Sequence, residues 1–501
     1  MLALLSLLAL ETPALAFCGF YVSGADASLY NDATMVVMMR EGKRTVLSMQ
    51  NNYEGPPSDF AMVVPVPTVV HKQDVKTLSK DLFKKIDTLS APRLVEYWEK
   101  DPCEPDDITA DSLIGFGASG SGRGGGGSSA ARLGVKVEAQ FSVAEYDIVV
   151  LSAKDSAGLD TWLRQEHYNI PPGAEATLRP YVAAGTKFFV AKVDADRVSY
   201  SDGRAVLSPL RVSYESEDFA LPMRLGLLNA EGDQDIIVHI LANNQRYEAA
   251  NYPNRTIPTN IQVLDGVRDD FGDFYDALFV QTAKVSGAVV TEYAWASGTC
   301  DPCPGPTLSS ADLMSLGGDI TGVQDAGAVV LTRLHYRYNA ESLTEDLVFQ
   351  AAEPIRGGRG MPDARGDFSE RESTAASTNN FQGRYVILHP WEGAVSCEKP
   401  RRGRWGGPPG GSAKTSSATS RLSGAAKPTE VLLAGMVAVD VPSIGLKRLT
   451  GEAVPVEAPA PVEPPAPAKE SPAAERGFCG STPVQPGLWS ALLAALLLRR
   501  R

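Results

Sequence analysis

The residues best placed to do chemistry in this 501-residue chain are its six cysteines: Cys18, Cys103, Cys300, Cys303, Cys397 and Cys479. Cys300-Asp301-Pro302-Cys303 is a C-x-x-C. That spacing closes a small disulfide ring, exchanges electrons, or supplies half of a zinc site. Zinc needs a second pair of ligands, and the neighbouring sequence offers none. A redox pair needs a depressed thiol pKa. Asp301 works against that, and Pro304 interrupts any helix that would follow. A structural disulfide is the first expectation, and thiol or metal chemistry at Cys300 and Cys303 the alternative. With Cys479 reserved for a role given below, five cysteines remain, so one lacks a partner within the chain. A Cys18–Cys397 bridge would staple the ends of the folded part. Cys103 then falls with Cys300 and Cys303, which close on each other or lend one member to Cys103. Sequence does not fix the connectivity.

Other constellations are weaker. Carboxylates gather at Glu231–Asp235 and Asp269–Asp276, and clustered carboxylates can hold Ca²⁺, which takes six to eight oxygens. The EF-hand pattern is absent, and the second cluster reads as the solvated start of a helix, where negative charge suits the dipole. The five histidines are His71, His167, His239, His335 and His389. None has metalloprotease spacing, and His239 and His335 sit in apolar runs as core or strand-face residues. Gly115–Gly120 spells G-x-G-x-x-G but runs into glycine and serine. No helix follows to aim amides at a pyrophosphate. Ser396–Lys399 spells S-x-x-K without its companion motifs. Arg365-Gly366-Asp367 reads as a coincidental tripeptide. No catalytic group, cofactor or resident metal is expected, which favours a non-enzymatic protein; a calcium-dependent adhesin is a further alternative.

Composition narrows the partners. Apolar residues at 44% and charged residues at 21% match a globular chain rather than a disordered one. Lys and Arg number 47 against 60 Asp and Glu, a net charge of −13. Such a chain lacks the cations that replace counterions on nucleic acid, and charge alone would not hold it to an anionic membrane.

The ends carry addresses. The run Leu2–Leu10 followed by Ala14-Leu15-Ala16 reads as a signal peptide over 1–16. Signal peptidase would cut between Ala16 and Phe17. At the other end, Cys479 precedes a short polar stretch, the apolar run Leu488–Leu498, and Arg499-Arg500-Arg501. A run of that length covers roughly 17 Å, about half a hydrocarbon core. The arginines would stay on the cytoplasmic side. This tail resembles the MYXO-CTERM sorting signal of myxobacterial surface proteins. The resemblance implies processing near Cys479 by a sorting protease, membrane association through the C-terminus, and residence at the cell surface or outer membrane.

Between the ends, four segments read as flexible: 117–130 (Gly/Ser), 356–380, 401–426 (Gly/Ser-rich) and a Pro/Ala stalk over 452–476. In polyproline II the stalk would reach roughly 70–75 Å. The expected organisation is a head over 17–355 that ends at 381–400, a short apolar segment at 427–451, the stalk, and the sorting signal at 477–501. Strands are expected at 34–40 and 43–50, joined by Glu41-Gly42 as a hairpin. Others fall at 60–66, twice within 133–152, and at 187–193, 211–215, 236–242, 289–295 and 329–338. Apolar stripes predict helices over 74–89, 158–168, 174–184 and 269–284. The expected class is α+β, with mixed or antiparallel sheets, packed helices and disulfides.

Particular residues carry a second resemblance. They are Phe17-Cys18-Gly19, Asn52–Gly55, Asp59-Phe60-Ala61 running into Val63–Pro67, Leu221–Leu225 and Cys300–Cys303. Over roughly 17–350 the chain resembles the DUF2330 family of secreted bacterial proteins. The resemblance implies an extracytoplasmic location and brings no activity or catalytic residue. In its most specific piece, Pro65 and Pro67 lack amide donors, so that strand must end or lie at a sheet edge there. The expectation is a surface-exposed structural or recognition module whose partner is a polysaccharide or an envelope protein.

Overall fold

The computed structural model describes residues 20–22, 34–50, 61–104, 134–408 apart from 167, 169, 172, 202–203, 230–231 and 285–286, then 416–417 and 430–449. Two compact units divide at Gly451, and every described residue belongs to the first. Cys18, Cys479, Ala16, Phe17, Arg499–Arg501, Gly115–Gly120 and the stalk lie outside the described residues.

Strands carry the architecture. An eleven-stranded mixed sheet runs 374–375, 355–357, 380–382, 289–296, 329–338, 234–243, 34–41, 44–50, 210–215 and 75–77, with 254–256 paired to 289–296 off that path. Its spine is the strand Gln234–Asn243, parallel to Thr34–Glu41 on one side and antiparallel to Val329–Tyr338 on the other. A five-stranded sheet runs 20–22, 61–66, 187–193, 146–153 and 135–143. A third sheet is built on the parallel pair Arg93–Glu99 and Arg384–His389. Helices are few, so the expected α+β class holds only in outline: the protein is sheet-rich.

Period-two alternation explains how the sheets stack. In Thr34–Glu41, Val36 and Met38 face one way and Met35, Val37 and Met39 the other. The first set meets Met62, Val64, Ile148, Val150 and Phe189 of the five-stranded sheet, so the two sheets share a core. The second set meets α1 (Lys80–Ser90) through Phe83, Ile86 and Leu89, with Leu313 and Leu316 beyond. The far face of the smaller sheet, including Ala61 and Val63, is covered by α2 (Ser156–Gln165) and α3 (Ala174–Ala183), chiefly Leu159, Trp162, Leu163 and Leu178. Because they are covered on both faces, the inner strands are apolar at nearly every position.

The expected strands occupy the predicted places within a few residues. The hairpin between 34–41 and 44–50 turns at Gly42, whose φ of +57° suits glycine. The helix expected over 74–89 begins later. Val75–Thr77 pairs with Leu210–Val212 as an edge strand, and α1 starts at Lys80, where the Ser79 side chain accepts from the Asp81 amide. The strand Ala61–Val66 runs through Pro65 and ends before Pro67, as expected of a strand that must stop or lie at an edge there. Pro65 stands opposite Phe188, while the described part of strand 20–22 pairs only with Ala61–Val63.

One expected linker, and the described residues of another, prove to be part of the body. Residues 356–380 contribute strands to the large sheet, and the buried Asn260 amide donates to the carbonyls of Arg359 and Ser369, both at 2.8 Å. The segment is bound because interior side chains satisfy its backbone. Trp405–Gly406 pairs with the end of Arg93–Glu99. The apolar segment near 430–449 is core: Leu433, Val437, Val441, Ile444 and Leu446 pack with Phe274 and Leu278 of α4 (Phe271–Lys284).

Candidate functional site

Three adjacent strands deliver a buried charged chain to one face of the large sheet. Arg333, His335 and Arg337 alternate along Val329–Tyr338 and so share a face. In register, Arg333 stands opposite His239 and Arg337 opposite Asp235. Glu292 joins by a different device. The pairing of Val289–Ala296 with Val329–Tyr338 slips between Thr291 and Tyr293, leaving Glu292 as the extra residue of a bulge. Bulges re-aim side chains, and this one sets the Glu292 carboxylate between Arg333 at 2.6 Å and His335 at 2.7 Å. The Tyr275 hydroxyl of α4 donates to the same carboxylate. His335 reaches Asp235 through its other nitrogen at 3.0 Å. Arg337 joins Asp235 and Asp276, each at 2.8 Å. From α1, Asp87 accepts from Arg333, and Ser90 lies 3.0 Å from His239. Hydrogen bonds thus run without interruption from Asp276 to Asp87.

Burial and pairing oppose each other here. Burial alone would push Glu292 up, but the charges of His335 and Arg333 hold it down to about 2. Burial likewise works against charge on His335, yet Glu292 and Asp235 raise it above the ordinary imidazole value. His239 goes the other way, kept neutral by burial and by the Arg333 cation. The Phe279 ring stacks on His335 at 3.6 Å and completes its enclosure. The network is sealed at its centre, with Glu292 and His335 at 0% exposure, while Arg337 and Asp276 at one end are partly exposed. Its buried centre therefore locks α1 and α4 to the sheet.

The acidic clusters singled out in the sequence contribute one carboxylate each, Asp235 and Asp276, and both serve Arg337. Among the described residues no three His, Cys, Asp or Glu side chains are grouped to hold a metal ion. His389 stacks on Trp98 and bonds Glu96 at 2.7 Å.

The cysteines pair as Cys103–Cys397 and Cys300–Cys303. The expected Cys18–Cys397 staple is thereby overturned. The reason is topological. Arg93–Glu99 and Arg384–His389 run parallel in register, so both chains leave the same end of the sheet and bring Cys103 beside Cys397. The bonds differ in what they close. Cys103–Cys397 spans 294 residues and Cys300–Cys303 only three. In the chain-entropy picture the first stabilises the fold by roughly 5–6 kcal/mol and the second by about 2 kcal/mol.

Two buried arginines stand behind the C-x-x-C loop. Arg93 and Arg384 face each other across the parallel pair. Arg93, at 0% exposure, donates to the Pro302 carbonyl at 2.7 Å and to the Leu89 carbonyl, while its Nε has no partner among the described residues. Arg384 bonds Asn260, the Tyr97 hydroxyl and the Gly360 carbonyl. Among the described residues neither forms an ion pair. Gln382 holds the Asp301 carbonyl at 2.6 Å. Within the loop Cys303 and Asp301 are exposed and Cys300 is half-buried.

A cleft of about 530 Å³ opens elsewhere, between Arg246, Glu248, Arg255, Thr256, Ser373 and Ser443. That volume lies within the range of small-ligand sites. Both charge signs and several hydroxyls line it.

Sequence reading missed Asp87, Glu292, Arg333, Arg337, Arg93 and Arg384. A signal was present in Thr332–Tyr338, where charged residues recur at every second position of an apolar run. That pattern reads as a strand with one solvated face, and here the face is covered.

These features define a sheet-rich protein with a sealed ionic core and two internal disulfides. The chain belongs to the DUF2330 family, described as an uncharacterized protein conserved in bacteria, whose model matches residues 12–350. No curated protein and no solved structure matches it. The family match stops within the strand Leu347–Ala352, yet residues beyond it complete two sheets and the core on α4.

Proposed function

We propose that this is an exported protein of the bacterial cell surface, attached after processing near Cys479, that acts by recognition rather than catalysis. The observation that carries the reading is the pair of internal disulfides, because such bonds persist in oxidising compartments. The signal-peptide pattern before Phe17 and the tail after Cys479 support the same address. Among the described residues no helix is long and apolar enough to cross a membrane, and the anchoring reading rests on the tail alone. The body would meet its partner, an envelope polysaccharide or protein, at the mixed-charge cleft between Arg246 and Ser373.

Intact mass of the protein from the cell envelope, with and without reduction, tests the address. Termini at Phe17 and near Cys479 are expected, and Cys479→Ala should accumulate with its tail uncut. Normal maturation of that variant would overturn the anchoring. Ser373→Trp fills the cleft and should weaken retention on purified envelope polysaccharide at least tenfold. Unchanged retention would remove the cleft from the reading.

A further inference from the structure

We propose that Cys300–Cys303 is an exchangeable disulfide that accepts electrons from cysteine pairs of other exported proteins. Three observations carry this. The loop is held from the body without help from the sulfurs: Arg93 grips the Pro302 carbonyl and Gln382 the Asp301 carbonyl. Opening the bond therefore leaves the loop in place, and the bond, spanning three residues, closes too little chain to staple the fold. Next, Cys303 is exposed while Cys300 is half-buried against the core of α1, so an incoming thiolate reaches one sulfur and the other is the natural leaving group. Last, the buried guanidinium of Arg93, without a carboxylate partner among the described residues, sits on the carbonyl between the two cysteines, with Arg384 beside it. A cation near a thiol favours the thiolate and makes it a better leaving group. Asp301 opposes this from the exposed side of the loop, where water screens it more.

Atoms and electrons balance in the exchange. A substrate thiolate attacks Cys303 Sγ. The Cys300–Cys303 bond breaks, its electron pair leaves on Cys300, and a mixed disulfide forms. The second thiolate of the substrate attacks its own sulfur in that mixed bond, and Cys303 departs as a thiolate. Two electrons have moved from the substrate dithiol to the Cys300/Cys303 pair. The two substrate thiol protons pass to water or to the new thiolates. This activity is independent of any recognition at the cleft.

The test equilibrates the full chain with mixtures of reduced and oxidised glutathione, alkylates free thiols, and maps both bonds by peptide mass. Cys300–Cys303 should open across ratios that leave Cys103–Cys397 closed, and the oxidised chain should convert a reduced two-cysteine peptide to its disulfide one for one. Asp301→Asn removes the exposed charge that offsets Arg93 and Arg384 and should move the balance toward the dithiol by about twofold or more. Arg93→Met should move it toward the disulfide. A Cys300–Cys303 bond as resistant as Cys103–Cys397, no transfer to the peptide, or an unmoved balance in Asp301→Asn would each overturn the proposal.

Discussion

Replacing Arg333 by methionine keeps the length and apolar stem of the side chain and removes one charge from the sealed network. The Asp87 and Glu292 carboxylates then lose their shared guanidinium. Glu292 keeps His335 and Tyr275, while Asp87, 4% exposed, loses the guanidinium that neutralises it. Breaking a buried ion pair from one side costs about 3–5 kcal/mol, because the remaining charge is stranded. With about 2.1 cal/mol/K of unfolding entropy per residue over roughly 350 described residues, that loss lowers Tm by about 5 °C. The effect of pH has a definite sign. In the native protein Glu292 is held at about 2, below its ordinary value of 4.5. It therefore contributes about 3 kcal/mol that is fully present above pH 4.5 and disappears as pH falls toward 2. In Arg333→Met, Glu292 loses one of the two charges that hold it down and takes up its proton at higher pH, so acid costs the variant less than it costs the native protein. The stability gap must narrow between pH 7 and pH 4. Urea melts followed by circular dichroism at both values measure it. Adding Asp87→Asn to Arg333→Met should recover part of the loss. A gap under about 1 kcal/mol at pH 7, or one that widens in acid, would refute the reasoning.

The alkaline side should also show a slope. His335 is raised above its ordinary value, so its contribution is complete below about pH 6.5 and is lost as pH rises through the raised value. Native Tm should fall across that range, and His335→Gln should flatten the fall. Gly358 has φ +71°, and an added Cβ would collide with the Gln382 carbonyl and the Thr259 hydroxyl. Gly358→Ala should therefore cost at least about 2 kcal/mol in denaturant melts. Ending the chain at residue 429 strips Leu433, Val437, Val441, Ile444 and Leu446 from α4. At about 1.5–3 kcal/mol per buried side chain, this should expose a dye-binding apolar surface. Ending it at 451 should leave Tm unchanged.

Much of the scaffold is legible in the chain itself. The runs 187–193 and 329–338 appear as strands with the predicted limits, because β-branched and aromatic residues bounded by turn signals leave few local choices. Segments 356–380 and 430–449 were not legible. The first has the composition of a linker and the second reads only as a short apolar segment, and they are held by a partner about a hundred residues away or by a core built elsewhere, such as Asn260 and Phe274.

What local sequence settled was the position of most strands, the apolar period that stacks the two large sheets, and the family. Pairing was decided only by tertiary structure. Cys397 meets Cys103 because two strands run parallel, and Glu292 reaches Arg333 and His335 because one residue bulges from a ladder. A charge on every second residue is written in the sequence. Whether water or two helices cover that face depends on contacts between distant parts of the chain, and local composition carries no record of them.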